Sequence, residues 1–163
     1  MHLAFPLVHV EMSEDNEGIL RLYGITTSGT LYVWQWFNDD YCWLFVDNVV
    51  IKETQDISTF IINQSGNENR IIFIKNNKLF SINIKLPTFR FKSEAQHRNA
   101  LSSSIEIIKY ECKSFELPKQ TSDAVGKPEI FNSNLFTWIV WINGKMVSNW
   151  DPITEVITSF FYS

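Results

Sequence analysis

Cysteine is scarce in this chain: Cys42 and Cys112 stand 70 positions apart among 163 residues, with no C-x-x-C pair. They read as two reduced thiols, not as a disulfide framework or a zinc clasp. Cys42, inside Tyr41-Cys42-Trp43-Leu44-Phe45, reads as a small hydrophobe. Six glycines and five prolines exclude a collagen-like or low-complexity chain. The longest apolar stretch, Leu135 to Ile142, is interrupted at Thr137 and is far short of a membrane span. Met1 to Val10 has no basic segment and meets Glu11 too early for a signal peptide, so the expectation is an intracellular protein, cytoplasmic or nuclear. The sequon Asn63-Gln64-Ser65 matters only in a secreted chain.

Catalytic signatures are lacking too. There is no Gly-x-Ser-x-Gly elbow. Gly126-Lys127 and Gly144-Lys145 resemble phosphate loops, but Thr121 and Ile139 stand where the first Walker glycine belongs. Asp39, Asp40 and Asp47 lack the spacing of a calcium loop and read as turn formers. Of the three histidines, His2, His9 and His97, only His9 has a neighbour of interest: Glu11 shares its strand face. Two ligands do not make a zinc site, and the Pro-Cys-x-x-Cys half of a zinc deaminase is missing. The expectation is a non-enzyme with no cofactor and no metal.

What the chain has in quantity is aromatic residues: 13 Phe, 6 Trp and 5 Tyr, or 15% of the total. A chain of this length can bury on the order of 70% of its unfolded surface, which suffices for one domain, 1–163. β-branched and aromatic runs predict strands at Ile19–Thr26, Thr30–Phe37, Tyr41–Ile51, Ile57–Asn63, Arg70–Ile74, Lys78–Ile84, Phe136–Ile142 and Lys145–Trp150. Ser28-Gly29, Asn76-Asn77 and Asn143-Gly144 supply hairpin turns, the last being the strongest short signal. Ser93-Glu94-Ala95-Gln96 has capping-box spacing and predicts a short helix to about Ser102. Asp151-Pro152 predicts a second helix over Ile153–Phe161, although Val156, Ile157, Thr158 and Phe160 suit a strand equally. Ile105 to Cys112 fits either, and Ser114 to Pro128 reads as a loop. The fold class is mainly β: antiparallel hairpins, propeller-like or a curved sheet, with one or two short helices.

Charge is uneven. Residues 1–69 carry ten acids and two bases (Arg21 and Lys52), whereas residues 70–119 carry ten bases and four acids. A basic segment over 70–119 raises the possibility of single-stranded nucleic acid as partner. Phe89-Arg90-Phe91-Lys92 argues against it, because alternation separates the rings from the cations that a stacking platform needs together. Solvated strands, or acidic and basic strands facing each other, explain the asymmetry more simply.

One phrase recurs. Ser28-Gly29-Thr30-Leu31-Tyr32-Val33-Trp34 is echoed by Asn76-Asn77-Lys78-Leu79-Phe80-Ser81-Ile82 and, more loosely, by Asn132-Ser133-Asn134-Leu135-Phe136-Thr137-Trp138. The leucines are 48 and 56 residues apart, near the period of roughly 40–50 residues of propeller blades. In a blade this phrase joins the two middle strands, and its Leu packs between sheets. His2-Leu3-Ala4-Phe5-Pro6, an acidic spacer and Leu20-Arg21-Leu22-Tyr23-Gly24-Ile25-Thr26-Thr27-Ser28-Gly29-Thr30-Leu31-Tyr32 resemble a degenerate blade of the N-terminal propeller of the large Y-complex scaffold nucleoporins. The resemblance covers about the first 40 residues and implies a propeller-like scaffold subunit. No helical region follows the blades as it does in that family, and 163 residues supply three or four blades. A ring needs at least four, so the expectation is a fragment, an open array or part of an assembly.

The functional expectation is therefore a protein–protein interaction or scaffold module. Its candidate anchors are Trp36, Trp138 and Trp141, with the acidic turn Glu14-Asp15 adding charge complementarity. An alternative is a small stand-alone β inhibitor or immunity-type protein, whose acidic half would meet a basic target.

Overall fold

The computed structural model describes residues 6–38, 40–65, 68–86, 108–119 and 124–162. The helix expected at Ser93–Ser102, the Phe89–Lys92 alternation, His2, His97 and Asp39 lie outside them. The described chain is mainly β, in twelve strands: β1 Leu7–Glu14, β2 Leu20–Thr26, β3 Thr30–Phe37, β4 Cys42–Val50, β5 Ile61–Ser65, β6 Glu68–Lys75, β7 Lys78–Lys85, β8 Lys109–Glu116, β9 Val125–Ser133, β10 Phe136–Ile142, β11 Met146–Trp150 and β12 Ile157–Phe161. They form three four-stranded sheets, β1-β2-β3-β4, β5-β6-β7-β8 and β12-β11-β10-β9, each a meander of consecutive strands. Two compact units divide the chain, one of Met1–Thr59 with Ile84–Glu111, the other of Phe60–Asn83 with Cys112–Ser163.

In the first unit, Tyr23, Ile25, Leu31, Val33 and Phe37 are buried on one face of the first sheet. The β2–β3 turn depends on Gly29. Its φ is +88°, and a Cβ there would stand 2.9 Å from the Ile51 carbonyl oxygen. That approach is used: the Ile51 amide donates to the Gly29 carbonyl at 2.8 Å. The hairpin thereby delivers the chain into a single 3₁₀ turn at Lys52–Thr54. This turn is the one helical segment among the described residues.

Tyr23 gives this unit an alkaline limit. Burial raises its phenol pKa above the ordinary 10.0, outweighing the lowering by Arg21 and Ser13. The unfolded chain ionises first, so this contribution to stability is complete below pH 10 and is lost as pH rises through the folded-state value. Urea midpoints measured from pH 8 to pH 11 should fall more steeply above pH 10 in the native chain than in Tyr23→Phe. Parallel curves would show that Tyr23 is not the responsible group.

The second unit has a core of Ile72, Leu79, Leu117, Ile139, Trp141 and Trp150, drawn from the second and third sheets. Asn76 and Asn77 both adopt left-handed φ, 53° and 59°, as a two-residue hairpin turn of the primed type requires. Asn134 and Leu135 do the same. In the Asn143-Gly144 hairpin, Asn143 has φ 57° and the Gly144 amide closes the turn on the Trp141 carbonyl at 3.2 Å.

Three expectations are corrected. Ile153–Phe161 is not a helix: Asp151 builds a closed turn instead. The Asp151 Oδ1 accepts from the Ile153 amide, the Glu155 amide donates to the Asp151 carbonyl, and the Asp151 amide donates to the Val156 carbonyl. Glu155 at φ 61° ends any helical path, and β12 pairs with β11 from Trp150↔Ile157 to Met146↔Phe161.

Secondly, Ser114–Pro128 is not one loop, because β8 runs to Glu116 and β9 begins at Val125. Gly126, with φ 73°, and Pro128 are admitted because β9 is an edge strand whose ladder to β10 is broken between Val140 and Ile142.

Thirdly, the recurring phrase is in phase only twice. Leu31 and Leu79 open the third strand of their sheets and are fully buried, whereas Leu135 sits in the turn before a second strand and is 63% exposed.

Candidate interaction surfaces

β-strand alternation gives the first sheet a second face, opposite Tyr23 and Ile25, and register fixes its membership. Met12 pairs with Leu22, Leu22 with Trp34 and Trp34 with Phe45, while Trp36 pairs with Trp43. The rings contact one another. Tyr32 and Trp34 stack at 6.0 Å, Tyr32 and Phe45 are tilted at 6.1 Å, and Trp36 and Trp43 meet edge-on at 5.4 Å. Trp34 is buried, but Trp36, Trp43 and Tyr32 are half-buried, and Val10, Met12 and Phe45 are exposed. The Trp36 indole N–H donates to Asn38 Oδ1 at 2.7 Å, which fixes the ring while its face stays accessible.

The acidic turn divides into two roles. Glu14 pairs with Leu20 and shares the aromatic face with Met12 and Trp36, so the fold brings Glu14 and Trp36 to one side of one sheet. Asp15 is occupied by the fold. Its Oδ1 accepts from the Glu17 and Ile19 amides, each at 2.9 Å, and its Oδ2 accepts from Arg21 at 3.1 Å. Asp15 therefore builds the β1–β2 turn. An Asp two and four residues before the amides it caps is a legible turn signal, which composition alone obscures.

The tryptophans of the third sheet divide as well. Trp141 is 6% exposed and belongs to the core of the second unit, so its ring is not displayed as an anchor. Trp138 faces the other way, opposite Phe131 and tilted against Phe160 at 6.1 Å. With Ile142, Phe131 and Phe160 exposed and Val140 and Val147 half-buried, this face is also apolar.

His9 and Glu11 share a strand face as expected, with Nε2 and Oε1 2.6 Å apart. Among the described residues, no three His, Cys, Asp or Glu side chains are placed to hold a metal ion. Cys42 and Cys112 are not disulfide-bonded. A cavity of about 330 Å³ beside the β2–β3 turn is lined by Pro6, Thr26, Thr27, Ser28, Thr30 and Tyr32. Thr26 already uses its hydroxyl there, 3.0 Å from Ser28 Oγ and accepting from the Thr30 amide at 3.1 Å. No helix among the described residues is long and apolar enough to cross a membrane.

Three cations of the 70–119 segment meet acids, one on its own strand, one on the adjacent strand and one in the turn before β12. Arg70 bonds Glu68, Lys78 lies 3.4 Å from Glu116, and Lys113 lies 2.9 Å from Glu155. Comparison with protein-family models returns no match, and comparison with curated proteins returns none either.

Proposed function

We propose that this chain is a non-enzymatic interaction module, an intracellular scaffold subunit that completes its apolar surface against a protein partner. The half-exposed aromatic face of the first sheet carries this reading: two groups of contacting rings, Tyr32 with Trp34 and Phe45, and Trp36 with Trp43, share it with Val10 and Met12. Large amphipathic rings already packed into fixed positions lose little entropy on binding and serve as anchors. Glu14 on the same face adds an acidic element suited to a basic rim on the partner.

The propeller-like version of this reading rests on three consecutive four-stranded meanders and on the in-phase pair Leu31 and Leu79. Three sheets are fewer than a closed ring needs, so further blades would come from beyond these residues or from a partner. The pairing of Arg70, Lys78 and Lys113 with nearby acids favours protein over single-stranded nucleic acid as that partner.

Affinity capture from cell extract tests the reading. The native chain should retain a protein in stoichiometric amount, and a Glu14→Lys/Trp36→Ala/Trp43→Ala variant should lose at least 90% of it while keeping its circular dichroism spectrum. Equal capture by both chains, or no stoichiometric partner, overturns it.

A further inference from the structure

Every open sheet must manage its edges, because an edge strand offers unpaired N–H and C=O groups to any passing strand. Among the described residues, five of the six sheet edges carry a protective device. β1 has Glu11 and Glu14 and an irregular register between Leu7 and His9. β4 has Asp47, and its ladder to β3 shifts at Val33/Trp34. β8 alternates Lys109, Glu111 and Lys113 along its length. β9 has Gly126, Lys127, Pro128 and Glu129 and a broken ladder. β5 is met by side-chain bonds with the β9–β10 hairpin: Asn132 Nδ2 donates to the Ile62 carbonyl at 2.6 Å, and Asn63 Nδ2 donates to the Leu135 carbonyl at 3.2 Å.

β12 has none of these. Ile157-Thr158-Ser159-Phe160-Phe161 contains no charge, proline, glycine or bulge, and its pairing with β11 runs unbroken. Thr158 and Phe160 are exposed, and Phe161 is 79% exposed. The direction of its free groups can be read from the strand's two ends. The Tyr162 amide donates to the Lys145 carbonyl, and the Val156 carbonyl accepts from Asp151. Even-numbered residues thus turn their backbone groups toward β11, and by alternation Ile157, Ser159 and Phe161 turn theirs to the open edge.

We infer that β12 pairs antiparallel with β12 of a second copy of this chain, about a two-fold axis at Ser159. The occupant follows from charge and symmetry. Self-pairing sets every charged side chain near its own copy, which disfavours β1, β4, β8 and β9 and leaves the uncharged β12 suited to it. The outward groups are arranged symmetrically as well. Ser159 meets Ser159 of the second copy, and Ile157 meets Phe161, so all three outward residues fall in hydrogen-bonded positions at once. On one face Phe161 gains an apolar neighbour in Ile157, and on the other Phe160 lies opposite Thr158. The third sheets of two copies would then form one continuous eight-stranded sheet.

This inference concerns the edge of the third sheet, and a failed capture through the first sheet's aromatic face would not touch it. The test is light scattering after size exclusion on the isolated 163-residue chain over a dilution series. The native chain should give twice 19.1 kDa and dissociate on dilution. Thr158→Lys/Phe160→Lys places lysines opposite lysines across the axis and should hold the mass at 19.1 kDa, as should Thr158→Glu/Phe160→Glu. Mixing the two variants should restore the doubled mass, which a merely misfolded pair could not do. A native mass of 19.1 kDa at every concentration overturns the inference, as does an oligomer that the lysine pair leaves intact or a mixture that stays monomeric.

Discussion

Trp150→Ala is expected to destabilise the second unit by about 3–5 kcal/mol, the range for truncating a fully buried large aromatic side chain. Trp150 is 1% exposed and sits among Ile72, Leu79, Leu117, Ile139 and Trp141, with Phe115 tilted against it at 5.7 Å. Most of these neighbours sit in strands of two sheets, each held by its own ladder, so they cannot collapse into the vacated volume. The loss therefore combines transfer free energy with an unrelaxed cavity. The indole nitrogen supplies a contrast, since Trp150 Nε1 is buried and has no acceptor among the described residues. Trp150→Phe removes that unpaired donor while keeping most of the ring, so it should cost less than half as much as Trp150→Ala. Hydrogen exchange of the β10 and β11 amides, read beside urea unfolding, checks both. Equal losses for the two variants would mean that the orphan donor is not costing stability.

Much of the architecture is local in origin, and that part is legible in the sequence. Val, Ile, Tyr and Trp in β2 and β3 favour a pleated surface, and Asn76-Asn77 favours two successive left-handed residues. Each decision is made within a few residues. The alternation that puts Trp36 and Tyr32 on one side and Val33 and Phe37 on the other is equally local.

Competing local signals are harder to read. Asp151-Pro152 suits a helix N-terminus and a hairpin turn equally, and the long-range ladder between β11 and β12 decides for the turn. Pro128 and Gly126 read as loop until β9 is known to be an edge, where a missing N–H costs nothing.

The candidate site was visible in part. A half-buried Trp36 and a buried Trp141 both read as aromatics within strands, and only the partner faces distinguish them. Phe131 and Phe160, which complete the face around Trp138, carry no signal because strand register sets their proximity.

Asn63 is the residue least legible from its neighbours in sequence, and substituting it should have the second large effect. It reads as a glycosylation acceptor, yet it is 2% exposed and joins β5 to the β9–β10 hairpin. Its Nδ2 donates to Thr137 Oγ1 at 3.0 Å, to the Leu135 carbonyl at 3.2 Å and to Asn132 Oδ1 at 3.4 Å. Thr137 Oγ1 in turn donates to Asn132 Oδ1 at 2.9 Å. The site is thus built of acceptors awaiting an N–H. Asn63→Ala withdraws the donor and strands the Leu135 carbonyl, at a cost of about 2–3 kcal/mol.

Asn63→Asp is the sharper test, because it replaces the donor with an oxygen of nearly the same shape. A carboxylate introduced there loses solvation and faces oxygen atoms, so its pKa rises above the ordinary value of about 3.9. The substituted chain regains stability where the carboxyl is protonated and loses it as pH rises through the raised folded-state value. A shift of about 2–3 units corresponds to about 3–4 kcal/mol lost at pH 7. Urea midpoints of Asn63→Asp should therefore recover toward those of the native chain between pH 7 and pH 4, while Asn63→Ala should show no such recovery. A pH-independent deficit in Asn63→Asp would mean that water or a rearranged β9–β10 hairpin satisfies the carboxylate, and that the acceptor cluster is not rigid.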